Sequence, residues 1–158
     1  MTLVPGVDRD AVRDLYDEYY ATLDDGDLIA WPDLFTLDCT YRVIPRENFE
    51  RGRTLSTMQA ESRGMLQDRV KGLLGTQVYA PRFYRRFPSP LRMVAEFDGV
   101  RVRHNLLIVQ TLIDQQPGIV LVGACHDLVV PDAGRLRFQE RIVAFDSEMV
   151  ANSLVFPA

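Results

Sequence analysis

The sequence WPDLFTLDCTYRVIPREN, residues 31–48, contains the change of pattern that decides the fold. Trp31, Leu34 and Phe35 follow the i, i+3, i+4 spacing, which puts three large apolar side chains on one helical face. A β-prone run follows and stops at Pro45, because proline cannot donate a hydrogen bond to a neighbouring strand. The predicted elements are a helix over 28–35 and a strand over 39–44. A helix that turns at once into a strand is typical of a curved sheet wrapped around helices.

The residues before this stretch predict a first helix. Asp8 or Asp10 can accept the free N–H groups at its start. Gly26 suits the position after the helix, where a left-handed backbone is common, and Asp27 suits the next N-cap. The apolar residues at helical spacing form one stripe: Val12, Leu15, Tyr16, Tyr19 and Leu23.

The residues that follow Pro45 predict one more helix and then strands. Residues 46–53 are polar and irregular, 55–74 have helical spacing before Gly75, and 77–90 form an extended aromatic and basic connection. The Asp98-Gly99 pair is the strongest hairpin signal, and an apolar tail over 150–157 is expected to pack back on the body. From residue 91 apolar side chains alternate, which predicts strands over 91–97, 100–113, 119–130 and 136–145.

Helices followed by an antiparallel meander predict an α+β fold, with N-terminal helices packed on one face of a curved antiparallel sheet. This order of elements is the architecture of the nuclear-transport-factor-2-like (cystatin-like, ketosteroid-isomerase-like) cone. We find no linker, repeat or low-complexity segment, so one domain over residues 1–158 is expected.

Charge and composition exclude several classes of protein. A net charge of −4 argues against a nucleic-acid-binding protein, for which a basic excess is expected. No apolar run approaches the roughly 18 residues that would indicate a membrane span, and the N-terminus lacks the pattern of a signal peptide. Cys39 and Cys125 are therefore expected to be reduced thiols in the cytoplasm.

The histidines are the best candidates for acid–base chemistry. His104 and His126 lie in predicted strands, where a partly buried, hydrogen-bonded imidazole is the favoured interpretation. The alternative is a general base in a cone-shaped pocket, assisted by Asp38, Tyr41 or Asp127. The spacings typical of metal sites, nucleotide-binding loops and nucleophile elbows are absent from the sequence.

An arginine and aromatic cluster marks a candidate surface. Arg82, Arg85 and Arg86 stand among aromatic residues, a composition that suits either an anion or single-stranded nucleic acid. Arginine, tyrosine and phenylalanine are also enriched at protein–protein interfaces. Because the chain is acidic, we favour the interface.

Three segments resemble one family. They are Trp31 to Gly52 with its Pro45-Arg-Glu-Asn-Phe-Glu50 motif, Glu61 to Val70, and Gly134 to Ser153 with its Asp146-Ser-Glu-Met149 motif. Together they resemble the small (β) subunits of aromatic-ring-hydroxylating oxygenases, the Rieske non-haem iron enzymes, over nearly the whole chain. Within that family they look most similar to the small subunits of salicylate 5-hydroxylase and terephthalate dioxygenase.

The resemblance implies a structural subunit of an oxygenase holoenzyme acting on a carboxylated aromatic such as salicylate. In such enzymes the large (α) subunit holds the Rieske [2Fe–2S] cluster and a mononuclear Fe(II). With two cysteines, two histidines and no Cys-x-His pair, this chain is expected to hold neither. It would pack against α subunits and trimerise within an α3β3 assembly, and its cone would be filled or vestigial.

We therefore expect no catalytic, cofactor or metal residues in this chain. The alternative is a stand-alone isomerase or dehydratase that uses His104 or His126 with a carboxylate. The candidate subunit-interface residues, on segments proposed to meet the large subunit, are Arg46, Glu47, Asn48, Arg51, Tyr79, Arg82, Tyr84, Arg85 and Arg86.

Overall fold

The computed structural model describes residues 2–75, 82–147 and 156–158. Helices α1 to α3 and a short 3-10 helix accompany strands β1 to β9. The helices are α1 (Arg9–Asp24), the 3-10 helix (Trp31–Leu34), α2 (Arg46–Glu50) and α3 (Arg63–Gly75). The strands are β1 (Thr2–Val4), β2 (Val7–Asp8), β3 (Phe35–Pro45), β4 (Met58–Ala60), β5 (Arg82–Pro88), β6 (Arg92–Ala95), β7 (Val100–Leu112), β8 (Gly118–Asp132) and β9 (Arg135–Phe145).

The main sheet has the strand order β4-β3-β9-β8-β7-β5. Strand β6 pairs with the first residues of β7, and β5 pairs with the rest of β7 on the same edge. Neighbouring strands are antiparallel except β3 and β9, which run parallel from Phe35 opposite Phe138 to Pro45 opposite Phe145. The predicted curved sheet with helices packed on it is confirmed, and it is mixed instead of antiparallel throughout, because β3 and β9 run parallel. After β4 the chain passes through α3 to β5 at the opposite edge, so the later strands return towards β3 and the last one meets it in the same direction.

Helix α1 begins and ends as predicted. The Asp8 side chain accepts a hydrogen bond from the Ala11 N–H over 2.7 Å, which caps the first turn. Gly26 follows the helix with a φ of +79°, and the Asp27 side chain accepts the Ala30 N–H at the start of the next turn. The predicted apolar stripe is buried along its whole length: Val12, Leu15, Tyr16, Tyr19 and Leu23.

The second helix is shorter than predicted. Only Trp31–Leu34 is helical, as a 3-10 turn, and Phe35 already has extended backbone angles. Strand β3 therefore starts at Phe35, because that residue pairs with β9, whereas the prediction started it at Cys39. The Trp31 ring packs edge-on against Phe35 and Tyr41, with centroids 5.4 and 5.3 Å apart.

Two further boundaries differ from the prediction. Residues Arg46–Glu50, predicted to be irregular, form α2. The third helix begins at Arg63, not at residue 55, because Met58 and Ala60 face the core from β4, a short strand paired with β3. The Ser62 hydroxyl accepts the Met65 N–H over 3.1 Å and caps α3.

The C-terminal strands agree with the predicted alternation. β6 and β7 form the hairpin predicted at Asp98-Gly99, and a Cβ at Gly99 would lie 2.2 Å from the Val129 carbonyl oxygen, which explains the glycine. The connection predicted over 77–90 contains strand β5 from Arg82 onward. Of the predicted tail, residues 150–155 lie outside the described part of the chain, whereas Pro157 is buried.

Helix α1 packs on the inner face of this sheet, and the core lies between them. Strand β7 contributes alternate residues to that face: Val100, Val102, His104, Leu106 and Ile108. Within the described residues, the helices are too short or too polar to cross a membrane. The fold thus brings α1 and the centres of β7, β8 and β9 together.

Candidate functional site

Polar side chains from β7, β8 and β9 meet two tyrosines of α1 on the inner face of the sheet. Arg141 donates from Nη1 to Asp127 Oδ2 over 2.9 Å and from Nη2 to the Tyr20 hydroxyl over 2.8 Å. The Tyr16 hydroxyl donates to the same Asp127 oxygen over 2.6 Å. The Tyr20 hydroxyl lies 2.6 Å from His104 Nε2. We call these five residues the inner polar cluster.

A β-bulge turns Arg141 into the core. Phe138 and Glu140 pair with consecutive residues of β8, so Gln139 is an extra residue on β9. Strict alternation from Phe138 would point Glu140 inward, but beyond the bulge it is Arg141 that points inward and is fully buried. The local pairing of two strands therefore decides which charge enters the core.

The Arg141 guanidinium is also surrounded by aromatic rings. Its central carbon lies 4.4 Å from the Tyr19 ring centroid, 5.3 Å from that of Tyr20 and 5.8 Å from that of Phe138. Cation–π attraction is strongest where water is excluded. Aromatic faces, Asp127 and Tyr20 together thus replace the water that a charged arginine would otherwise bind.

The hydrogen-bond directions assign a tautomer to His104. Arg141 has only donors, so the Tyr20 hydroxyl accepts from it and donates its own proton to His104 Nε2. The remaining proton of the neutral imidazole then sits on Nδ1, which lies 3.9 Å from Asp127 Oδ2 and has no hydrogen-bond partner among the described residues. His104 is therefore a hydrogen-bonded core histidine.

Burial shifts the pKa values of the titratable groups in the cluster. Desolvation, assisted by the positive charge of Arg141 and by His126, lowers the pKa of His104 to about 3. Burial and the neighbouring Asp127 raise the pKa of Tyr16 well above its usual value. Burial also raises the pKa of Asp127, although Arg141 and the hydrogen bond from Tyr16 act in the opposite direction. A general base needs a pKa near the working pH, and the pKa of His104 lies far below that range.

The cluster is also closed to a substrate. The side chains of His104, Asp127 and Arg141 have no solvent-exposed area. Of the predicted helpers, Asp127 is bound to Arg141, and Tyr41 accepts the Ala158 N–H over 2.9 Å. Asp38 is exposed on β3 and makes no contact with His104 in the described structure.

The last described residues fill the space beside the cluster. Arg86 donates to the Pro157 carbonyl over 2.6 Å and to Asp24 over 2.8 Å, and it is itself buried. The Tyr19 hydroxyl donates to the Ala158 carbonyl, and Ala158 has no exposed surface. Residues 156–158 therefore pack on the body of the domain, on the inner face next to α1.

His126 belongs to the opposite face of the sheet. Its ring stacks on Phe49 of α2, with centroids 4.5 Å apart, and it pairs across the strands with Arg103. Partial burial and the charge of Arg103 lower the pKa of His126. The two histidines therefore cannot act on one substrate.

The cysteines and histidines do not fit a metal centre. Cys125 and His104 are cross-strand neighbours on the inner face, whereas His126 points outward. Both cysteines are buried free thiols, and burial raises the pKa of Cys39 to about 11 and that of Cys125 to about 12. Across the described ranges, no group of three or more metal-ligating side chains converges.

The predicted interface residues fall into two groups. Arg46, Glu47 and Arg51 are exposed on and beside α2, and Asn48 is half-buried with its amide bonded to the Leu55 carbonyl. Exposed charges here pair locally, Arg51 with Glu47 at 3.0 Å and Arg46 with Asp146 at 3.3 Å.

The second group lies on β5 and is divided between the two faces of the sheet. Arg85 is exposed on the outer face, and Arg82 is half-buried, with Nη1 donating to Gln110 over 3.2 Å. Tyr84 and Arg86 share the inner face with Arg82 and are buried, so their side chains are not part of the exposed surface of the single chain. Tyr79 lies outside the described residues.

Comparison with known proteins identifies the family. Residues 7–142 match the SnoaL-like domain family. The small subunit of anthranilate 1,2-dioxygenase from Burkholderia cepacia is 33% identical over 144 residues, which cover 90% of this chain and 89% of that protein. The chain belongs to the small subunits of aromatic-ring-hydroxylating dioxygenases. Like them, it is part of an oxygenase holoenzyme, and the inner polar cluster gives no indication of a catalytic site of its own.

Two other members of this dioxygenase small-subunit family agree. A beta subunit of the terminal oxygenase component of terephthalate 1,2-dioxygenase from Comamonas sp. is 27% identical over 141 residues. The match covers 88% of this chain and 91% of that protein. The crystal structure of the beta subunit of an aromatic-ring-hydroxylating dioxygenase from Novosphingobium aromaticivorans superposes with a TM-score of 0.84 at 32% identity. It covers 95% of this chain and 96% of its own. The resemblance and the cone fold predicted from the sequence are confirmed.

Sequence reasoning missed most of the inner polar cluster. It placed Tyr16 in an apolar stripe and did not single out Tyr20 or Arg141. A signal was present for the tyrosines, since several hydroxyls on one buried helical face need polar partners. For Arg141 no such signal existed, because the bulge at Gln139 is visible only in the strand pairing.

Proposed function

We propose that this chain is the structural β subunit of an aromatic-ring-hydroxylating oxygenase that acts on a carboxylated aromatic such as salicylate. The observation that carries this proposal is the closed inner polar cluster. A stand-alone isomerase or dehydratase would need a histidine within reach of substrate, whereas the His104 side chain is inaccessible and His126 faces the other side.

The chemistry would reside in a partner chain. We propose that the large (α) subunit supplies a Rieske [2Fe–2S] cluster and a mononuclear Fe(II), and that this chain trimerises within an α3β3 assembly. In support, Cys39, Cys125, His104 and His126 do not converge on a common point. Buried reduced thiols also suit a cytoplasmic location, which we propose for the assembly.

The proposed substrate class follows from the names of the relatives. Anthranilate and terephthalate, on which two related enzymes act, are both benzene rings that carry a carboxylate. Salicylate differs from anthranilate only in having a hydroxyl in place of the amino group beside the carboxylate. A ring carboxylate is therefore the feature that we expect the α subunit to recognise.

The α2 segment is our candidate for the contact with the large subunit. Arg46, Glu47, Asn48 and Arg51 form a charged surface around a cleft of about 270 Å³, which is lined by Pro45, Glu47, Asn48, Asp146 and Ser147. Rim charges of this kind set the rate and specificity of association more than its strength.

Co-expression with the large oxygenase subunit encoded beside this chain tests the function. We expect the two to co-purify as a hexamer whose iron stays with the large subunit after the chains are separated, and to hydroxylate salicylate or another ring carboxylate. A chain that does not bind any large subunit, and is not required for its activity, would refute the proposal.

Charge reversal tests the contact surface. The Arg46→Glu/Arg51→Glu variant is expected to reduce co-purification, since it places new acids beside Glu47 and Asp146. Lys71→Glu on α3, also exposed, is the control and should behave as the wild type. Undiminished recovery of the α2 variant with the large subunit would show that the contact lies elsewhere.

A further inference from the structure

Two arginines face each other across β6 and β7 on the outer face of the sheet. Arg92 pairs directly with Arg103, and both side chains are exposed. Like charges directly opposite each other destabilise a sheet. Within the described residues neither of the two forms an ion pair, whereas the nearby Arg101 is bonded to Glu96 over 3.1 Å and to Glu140 over 2.7 Å. Arg92 and Arg103 therefore concentrate positive charge that an anion would neutralise.

A cleft opens beside this arginine pair. It has a volume of about 310 Å³, and its lining includes Arg92, Arg103, Val94 and His126. Pockets for small molecules begin at roughly 300 Å³, so there is room for one small ring. Val94 is 66% exposed, which gives the cleft an apolar wall. Charge and apolar surface thus lie side by side in one concave space.

His126 gives the same cleft an aromatic wall. Its ring stacks on Phe49 of α2 with centroids 4.5 Å apart, which fixes its position. Partial burial and the charge of Arg103 lower the pKa of His126, so the ring is neutral near neutral pH. A neutral ring beside two guanidinium groups suits a ligand that is aromatic at one end and anionic at the other.

We propose that this cleft binds a small aromatic carboxylate, with the carboxylate held by Arg92 and Arg103 and the ring packed against Val94 and His126. Arginine suits this task because its planar fork of N–H donors matches the two oxygens of a carboxylate. Binding would replace the repulsion between the two guanidinium groups with attraction to a shared anion. The choice of a ring carboxylate among small anions rests on the proposed function, whose substrates have that chemistry.

Fluorine NMR of fluorobenzoate, added to the purified chain alone, tests the site. We expect the wild type to broaden the ligand signal in a saturable way, and unlabelled benzoate or salicylate to reverse the broadening. Arg92→Gln/Arg103→Gln should weaken binding by roughly tenfold or more, which is the effect of losing one charge-assisted hydrogen bond. Arg103→Lys keeps the charge and should also weaken binding, because an ammonium group lacks the fork of donors.

Thermal unfolding separates a lost site from a lost fold. Without ligand, Arg92→Gln/Arg103→Gln should unfold no earlier than the wild type, because it removes a like-charge pair. Saturating benzoate should raise the unfolding midpoint of the wild type and leave that of the variant unchanged, since a ligand stabilises the state that binds it. The matched control is Arg53→Gln/Arg85→Gln, which removes two exposed arginines that do not line the cleft and should bind fluorobenzoate as the wild type does.

Acetate and inorganic phosphate test the aromatic part of the site. Benzoate should bind at least roughly tenfold more tightly than acetate, because burial of the ring adds to the attraction between charges. His126→Ala should reduce this preference while leaving the affinity for acetate unchanged. Equal affinities for benzoate, acetate and phosphate would mean an adventitious ion only and would overturn the proposal.

Two further results would also overturn it. They are a wild-type chain that does not bind fluorobenzoate saturably, and an Arg92→Gln/Arg103→Gln variant that binds it as tightly as the wild type. A carboxylate of the large subunit is the other source of the same chemistry. If it fills the cleft, the co-purified assembly will not bind fluorobenzoate and the double variant will co-purify poorly, which would replace the small-molecule ligand.

Failure of this site and failure of the proposed function can be told apart, because the binding test needs no large subunit. A chain that binds benzoate but no large subunit would refute the proposed function and leave the cleft assignment standing. A chain that joins an active hexamer but does not bind benzoate, alone or in the assembly, would refute only the cleft assignment.

Discussion

At the residue scale, Arg141 and Asp127 are the most consequential pair. Both side chains are fully buried, and each would impose several kcal/mol of desolvation on the fold if it stood alone. Further contacts stabilise the two charges. The Tyr16 hydroxyl donates to Asp127, Arg141 donates to the Tyr20 hydroxyl, and the Tyr19 ring packs against the guanidinium. The pair therefore stabilises the fold only as long as both partners are present.

Removing one partner should cost more than removing both. Arg141→Met is expected to lower the free energy of unfolding by about 3–5 kcal/mol, because it leaves Asp127 buried and unpaired. The double variant Arg141→Met/Asp127→Leu should recover much of that loss. Urea denaturation gives both values, with exposed Arg103→Met as a control within about 0.5 kcal/mol of wild type. A double variant that loses as much free energy of unfolding as the two single variants added together would contradict this account.

His104 should make the stability of the chain depend on pH. Its pKa is about 3 in the folded chain, below the roughly 6.5 of an unfolded histidine. Above pH 6.5 His104 is neutral in both the folded and the unfolded chain, so its contribution to the free energy of unfolding is fully present. Below it only the unfolded state binds the proton, so stability falls towards pH 3 by about 1.4 kcal/mol per pH unit.

Urea unfolding at several pH values between about 7.5 and 5 measures this slope. His104→Gln, whose amide can still accept from Tyr20, should remove most of it. His126→Gln should change it less, because His126 is only half-buried. Equal slopes in the wild type and His104→Gln would refute the assignment of this pH dependence to His104.

At the scale of the element, β8 depends on a glycine. A Cβ at Gly123 would lie 2.2 Å from the Ala144 carbonyl oxygen of β9, which is too close for any side chain. We expect Gly123→Ala to destabilise the chain by about 1–3 kcal/mol, as overpacking generally does. Gly118→Ala, on the same strand with nothing within 4 Å of the new Cβ, should be nearly neutral. Thermal unfolding of both variants distinguishes them, and equal midpoints would contradict the close approach.

Hydrophobic periodicity predicted most of the helices and strands. The boundaries that it predicted wrongly are those that depend on the pairing of strands. The stripe of α1 and the alternation in β6 to β9 depend on neighbours in sequence, so they were visible in advance. The late start of α3 and the early start of β3 depend on strands that are distant in sequence. The same holds for Arg141, which reaches the core only through the bulge at Gln139.

At the scale of the whole molecule, the proposed contact with the large subunit depends on exposed charge. Arg46, Glu47 and Arg51 of the α2 segment are all exposed. Raising the salt concentration from about 0.05 M to about 0.5 M should weaken this contact, because exposed charge pairs are screened within a few ångströms at high salt. Analytical ultracentrifugation of the co-purified assembly measures this effect. An assembly that tightens with salt would indicate apolar attraction alone.

The parallel pairing of β3 with β9 also has a consequence for synthesis. It joins residues 35–45 to residues 135–145, so β3 gains its second neighbour only after nearly the whole chain has left the ribosome. Until then one edge of a strongly β-prone segment remains unpaired, and such edges recruit other chains. Contacts between residues far apart in sequence also slow folding. We therefore expect the nascent subunit to need chaperones, and premature termination before β9 should yield aggregates instead of a folded fragment.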